Sequence, residues 1–186
     1  MIWLLLGLAI WIAAHTFKRV APGPRATLQE RMGDASKGLF AAALLLSVVL
    51  MVVGYRAAEF VPVWQPPSWG VHLNNLMMVF AIALFGLGNS KSRLRGTLRH
   101  PQLTGFSLWA VAHLLVNGDV ASLVLWGVLL IWAIAEMPLI NMREPAPPRF
   151  TGGSLAGDVR LVFITLVVYA VISAIHAWLG VWPFPS

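Results

Sequence analysis

Apolar and polar residues follow one another along this chain in long blocks. Six apolar runs, at Ile2–Phe17, Leu39–Tyr55, Val71–Gly88, Leu103–Val116, Val120–Met137 and Val159–Trp182, are separated by gaps that hold nearly all of the charge. A soluble amphipathic helix carries a single apolar stripe, whereas a helix that is apolar all round is buried in a core or in hydrocarbon. About 20 residues cross a bilayer core, and the runs are close to that length. The pattern therefore predicts an all-α membrane protein, a bundle of six transmembrane helices forming a single domain over residues 1–186. The fourth run is the shortest, and gains a turn if Pro101 opens its helix as the first residue. Tyr55, Trp64, Trp69 and Trp182 fall near run ends, where amphipathic rings favour the membrane interface.

Charge sets the orientation. Lys18, Arg19, Arg25, Arg31 and Lys37 lie in the first gap, Lys91, Arg93, Arg95 and Arg99 in the third, and Arg143, Arg149 and Arg160 in the fifth. Of the 13 lysines and arginines, only Arg56 falls in a gap on the other side. Basic loops stay cytoplasmic, so both termini are expected in the periplasm of a bacterial inner membrane. An odd number of spans would break this segregation. The net charge of +6 is thus a sign of topology and not of nucleic-acid binding. The N-terminal run lacks a basic leader and a small-residue cleavage site, so it reads as a first helix and not as a removed signal peptide. Residues 18–38, with Pro22 and Pro24, suggest an interfacial helix, and the proline- and glycine-rich residues 138–158 an irregular cytoplasmic loop.

With 59% hydrophobic residues and no cysteine, the chain has no thiolate ligands, disulfides or cysteine nucleophiles. No phosphate-binding loop, dinucleotide fingerprint, HExxH zinc motif or GxSxG elbow occurs, and Ser107 has no base beside it. Candidate chemistry concentrates in Arg99–Asp119, RHPQLTGFSLWAVAHLLVNGD. Ionisable groups at membrane depth cost roughly 2.5–3.5 kcal/mol on insertion scales and mark functional sites by default. Two histidines have a tryptophan four residues earlier, Trp11 with His15 and Trp109 with His113. That spacing puts ring and imidazole on one helix face. A planar macrocycle such as haem needs an axial nitrogen and flat walls. The plainer alternative is a neutral core imidazole bonded to a carbonyl, with tryptophan filling volume. Arg99 and Glu136 suggest an ion pair at the cytoplasmic surface. Asn117-Gly118-Asp119 has the residues of a tight turn, and His72 and His176 suit interfacial positions.

His15 in HTFKRV, Arg99-His100-Pro101 with Gly105 and Trp109, and His113-Leu114 followed by Asn117-Gly118-Asp119 resemble the NnrU family of bacterial membrane proteins. The likeness covers nearly the whole chain and implies an inner-membrane protein of nitrite and nitric oxide metabolism. The same stretch is similar to 15-cis-ζ-carotene isomerase, a membrane enzyme using b-type haem. That resemblance implies His15 and His113 as axial ligands; with them, Trp11 and Trp109 are expected to wall the macrocycle, and Arg99 to pair with a propionate with His100 as a hydrogen-bond donor beside it. The isomerase has a cysteine three residues before its second histidine; here that position is Ala110. A more distant likeness, to isoprenylcysteine carboxyl methyltransferases, implies contact of Arg99 and His100 with S-adenosylmethionine, but the glutamate-rich segment that completes their site is missing.

Depth bears on the ligand pair. His113 lies about ten residues into its helix, roughly 15 Å from the cytoplasmic end, while His15 is near that end. His176 or His72 would suit His113 better by depth, and His100 is a further alternative; His15 ranks first through the resemblance. The expected function is a haem b-binding NnrU-type protein, with membrane lipid, a hydrophobic small molecule or nitric oxide as partners. The alternatives are a polyene isomerase, a lipid-directed methyltransferase and a noncatalytic assembly partner.

Overall fold

The computed structural model describes residues 1–148 and 150–185, so Arg149 of the fifth gap lies outside the described residues. Its helices are α1 (Ile2–Val20), α2 (Pro22–Met32), α3 (Ala35–Arg56), α4 (Gly70–Leu87), α5 (Pro101–Val116), α6 (Val120–Arg143) and α7 (Leu155–Trp178), with a 3₁₀ turn at Arg93–Gly96. Among the described residues β pairing is confined to two isolated bridges. Five helices, α1, α3, α4, α6 and α7, are long and apolar enough to cross a membrane. The fourth expected run becomes α5, whose 16 residues span about 24 Å at 1.5 Å per residue, short of a bilayer core of about 30 Å. Pro101 opens it, where the missing N–H costs nothing. The first gap holds α2, a polar helix with no buried residue.

α1 packs on α3, α6 lies against both, and α5, α4 and α7 follow in turn from α6. The core sits at the first junction, where Leu4 and Leu8 of α1 meet Met51 of α3 and Ala121, Leu125 and Leu129 of α6. Large apolar side chains face outward elsewhere, among them Val162, Phe163 and Leu166 on α7; surfaces of this kind are covered by lipid. The α1–α3 crossing depends on two glycines. A Cβ on Gly54 would collide with the backbone nitrogen of Leu4, and one on Gly7 would lie 2.7 Å from both Met51 N and Ser47 O. Small residues of this kind let membrane helices approach backbone to backbone. Gly54→Leu is expected to destabilise the fold by at least the ~1–3 kcal/mol typical of overpacking, whereas Gly127→Leu, with nothing within 4 Å of its Cβ, should be neutral. Thermal unfolding of both variants in detergent checks this; equal behaviour would contradict a close crossing.

The expected loop at 138–158 starts later than the sequence suggests. α6 continues through Pro138 to Arg143, although the ring removes the hydrogen bond that the Ile134 carbonyl would accept. Side chains from the start of α5 hold this final stretch. His100 Nε2 donates to Asn141 Oδ1 at 2.8 Å, and Arg99 Nη2 donates to the Glu144 carbonyl at 2.7 Å. A second clasp joins the α4–α5 connection to α7. Ser92 Oγ donates to Asp158 Oδ1 at 2.7 Å, and Arg93 Nε to Asp158 Oδ2 at 2.5 Å.

Candidate functional site

Four-residue spacing on α1 aligns Trp11, His15 and Arg19 on the face turned toward α6. Arg19 Nη1 donates to Glu136 Oε1 at 2.6 Å, and its Nη2 lies 3.3 Å from Glu144 Oε1. Lys18 Nζ reaches the same Glu144 oxygen at 3.3 Å. That hydrogen bond, supported by the charges of Arg19 and Lys18, holds the Glu144 carboxyl below its ordinary range. The expected Arg99–Glu136 pair does not form. Glu136 is only 3% exposed and is reached from α1, whereas exposed Arg99 bonds to the backbone at the end of α6.

Between the two histidines runs an unbroken row of aromatic rings. The His15 ring lies 4.2 Å from Trp11 and 4.7 Å from Trp132. Phe106 is 5.3 Å from Trp132 and 5.0 Å from Trp109. At the other end the His113 ring lies 5.4 Å from Trp109 and 4.3 Å from Trp126. Adjacent rings are mostly edge to face, with Trp109 and Trp126 at 79° and Phe106 and Trp132 at 82°, an arrangement favoured by the aromatic quadrupole.

Both histidines make the same backbone bond. His15 Nδ1 is 2.9 Å from the Trp11 carbonyl, and His113 Nδ1 is 2.9 Å from the Trp109 carbonyl. A carbonyl only accepts, so each Nδ1 carries the proton, and in the neutral imidazole Nε2 keeps its lone pair. Neither Nε2 has a hydrogen-bond partner among the described residues. His176 repeats the arrangement on α7, with Nδ1 2.8 Å from the Ile172 carbonyl. His72 is exposed in the first turn of α4.

At the far end of the Arg99–Asp119 stretch the expected tight turn does not form: Asn117 and Asp119 are extended, Pro62 bridges Asp119, and a cap takes the place of the turn. Asp119 is the N-cap of α6, accepting from Ser122 N at 3.0 Å and from Ser122 Oγ at 2.5 Å. Tyr55 adds its hydroxyl at 2.9 Å from Ser122 Oγ, and Asn117 Nδ2 donates to the His113 carbonyl at 2.8 Å.

Each imidazole by itself has the chemistry of an iron ligand, whereas the rings packed between the two do not place both on one iron. Nδ1–H bonded to a carbonyl with Nε2 left free is the tautomer that metal-binding imidazoles use, and the Trp11 and Trp126 indole nitrogens beside them are buried with no partner. The row of rings adds a geometric condition. His15 lies five residues from the end of α1 and His113 twelve from the start of α5, roughly 8 and 18 Å along their helices. Both imidazoles reach one iron only if Phe106 and Trp132 leave the space between them. Among the described residues no group of three or more His, Asp or Glu side chains could hold a bare metal ion.

The family model for the NnrU protein matches residues 3–183, nearly the whole chain. The chain belongs to the NnrU family. No curated protein and no solved structure matches it. In this NnrU chain four members of the site, Arg19, Phe106, Trp126 and Trp132, were not singled out from the sequence. Arg19 continues the spacing of Trp11 and His15 by one further turn, a signal that was present in the sequence. Trp126 and Trp132 stand in the middle of an apolar run, away from the ends where interfacial tryptophans belong.

Proposed function

We propose that this NnrU-family chain is a six-span bacterial inner-membrane protein, both termini periplasmic, that binds b-type haem and acts in nitrite and nitric oxide metabolism. The observation that carries the reading is the repeated arrangement at His15 and His113. Each imidazole gives Nδ1–H to the carbonyl of a tryptophan one turn earlier, and each leaves Nε2 without a partner beside flat indole walls. His113 is the central ligand in this reading and His15 the second. Trp11 and Trp109 wall the macrocycle. Arg99, which has five N–H donors and uses one nitrogen on the Glu144 carbonyl, keeps others for a propionate at the cytoplasmic surface, with His100 beside it. The haem would supply a redox-active iron able to take nitric oxide.

The segregation of basic residues supports the orientation, and α5, seated between α4 and α6, is the sixth span. The reading is tested by expressing the protein with added haem precursor, purifying it in detergent and measuring haem by the pyridine haemochrome method. Near-stoichiometric b-type haem is expected. Protein that is folded, by its helical circular dichroism, and free of haem would overturn the proposal.

A further inference from the structure

The connection between α4 and α5 holds Lys91, Arg93, Arg95 and Arg99 and no acidic residue. Interleaved with these charges are two leucines turned outward, Leu94 at 58% and Leu98 at 42% exposure. Basic residues alternating with exposed leucines are the composition of a segment lying in a membrane interface, leucine at the acyl boundary and charge among the headgroups. The packing fixes where this segment lies. Ser154 N donates to the Lys91 carbonyl at 3.0 Å, and a Cβ on Gly157 would collide with that carbonyl. The first turn of α7 therefore rests directly on Lys91. Of the five helices long enough to span, α7 has the smallest buried share, and Leu155, Val159, Val162 and Phe163 along it are exposed. The basic turn thus sits where the lipid-facing surface of the outermost helix begins.

Charge at this corner is unbalanced. Arg160 is exposed and stands three residues beyond Gly157, on the helix face turned to Lys91. Lys91, Arg93, Arg95 and Arg160 have one carboxylate near them, Asp158, which Ser92 and Arg93 already engage. Arg93 spends Nε on that carboxylate, and its side chain stays 60% exposed. Arg95 is held by the Ser90 carbonyl, 3.1 Å from its Nη1, and by the Phe150 ring, 4.4 Å from its guanidinium carbon. Lys91 and Arg160 form no ion pair among the described residues. The complement of such a corner is an anion, and Leu94 and Leu98 say how it is carried. A soluble anion would leave both leucines in water, whereas a phospholipid covers them with acyl chain and brings its phosphate to arginine forks that bind phosphate bidentately.

We propose that the α4–α5 connection and the first turns of α7 form a binding site for an anionic phospholipid, its headgroup held by Lys91, Arg93, Arg95 and Arg160 and its chains lying over Leu94 and Leu98. The site goes beyond the haem reading and does not depend on it, because Arg99, the residue of this segment assigned to a propionate, is not part of it.

The chain has no cysteine, so Thr97→Cys, at an exposed position between the two leucines, carries a single fluorophore. The full-length protein is placed in phosphatidylcholine nanodiscs, and quenching is measured with a low fraction of doxyl-labelled phosphatidylglycerol or of doxyl-labelled phosphatidylcholine. Phosphatidylglycerol is expected to quench about fivefold more effectively, the factor that one basic residue near an anionic headgroup supplies. The combined variant Lys91→Gln, Arg95→Gln and Arg160→Gln should make the two lipids equal. Arg31→Gln with Lys37→Gln and Arg143→Gln, an equal loss of charge on the same side of the membrane, should keep the preference. Equal quenching of the parent by both lipids would overturn the proposal, as would a preference that the second combination abolishes as fully as the first. Failure of either lipid to quench would also overturn it, since the turn would then lie in water.

Discussion

Arg19→Met is expected to destabilise the folded protein by about 3–5 kcal/mol, the usual consequence of removing one partner from a buried ion pair. The Glu136 side chain is 4% exposed and that of Arg19 18%, so little water reaches the contact. Arg19 supplies the one hydrogen bond that the Glu136 carboxylate makes among the described residues. Without it a carboxylate stays buried and unpaired, and α1 loses its polar tie to α6. Lys18 cannot substitute, since it is exposed and engaged with Glu144. The double variant Arg19→Met with Glu136→Leu should recover most of the loss, because apolar residues of similar volume replace a buried pair at little or no cost. Thermal unfolding in detergent micelles measures both. A single variant as stable as the parent would show that the pair contributes nothing, and a double variant as unstable as the single would show that the loss lies in packing.

His113→Ala should abolish nearly all haem binding, whereas His15→Ala should leave haem bound with an altered coordination state. The asymmetry follows from position. His113 lies twelve residues into α5, with its ring between Trp109 and Trp126. His15 is near the end of α1, and the rings of Trp132 and Phe106 separate it from the other end of the row. Haem content per chain, measured on parent and variants after identical purification, decides the matter. Full haem content in His113→Ala would remove that residue from the ligand set, and an unchanged spectrum in His15→Ala would remove the second ligand.

Much of the fold was legible because membrane helices announce themselves by composition. Each of the six apolar runs lies within a helix or overlaps most of one, and Pro101 opens α5 as its missing N–H predicts. The end of α6 was not legible. Pro138 stops a helix in isolation, and the stretch beyond it is held by Arg99 and His100, which lie just before α5. The same limit applies to Glu136. Spacing put Arg99 and Arg19 on the same side of the membrane, and only the packing of α1 on α6 makes Arg19 the partner. At the candidate site, the pairing of each histidine with a tryptophan was readable from a spacing of four. The row that joins the two pairs was not, because it assembles rings from three helices, Trp11 on α1, Phe106 and Trp109 on α5, and Trp126 and Trp132 on α6. Asp119 was read as a turn residue, but the segment is extended there and its carboxylate caps α6 instead.

The central claim is that the free imidazole nitrogen of His113 takes a haem iron. The most direct measurement is the electron–nuclear hyperfine spectrum of the ferric protein prepared with ¹⁵N-labelled histidine. A directly coordinated histidine nitrogen coupling is expected in the parent protein and is expected to remain in His15→Ala, which keeps haem and His113. A haem-loaded parent with no such coupling, or a haem-loaded His15→Ala without it, would contradict it.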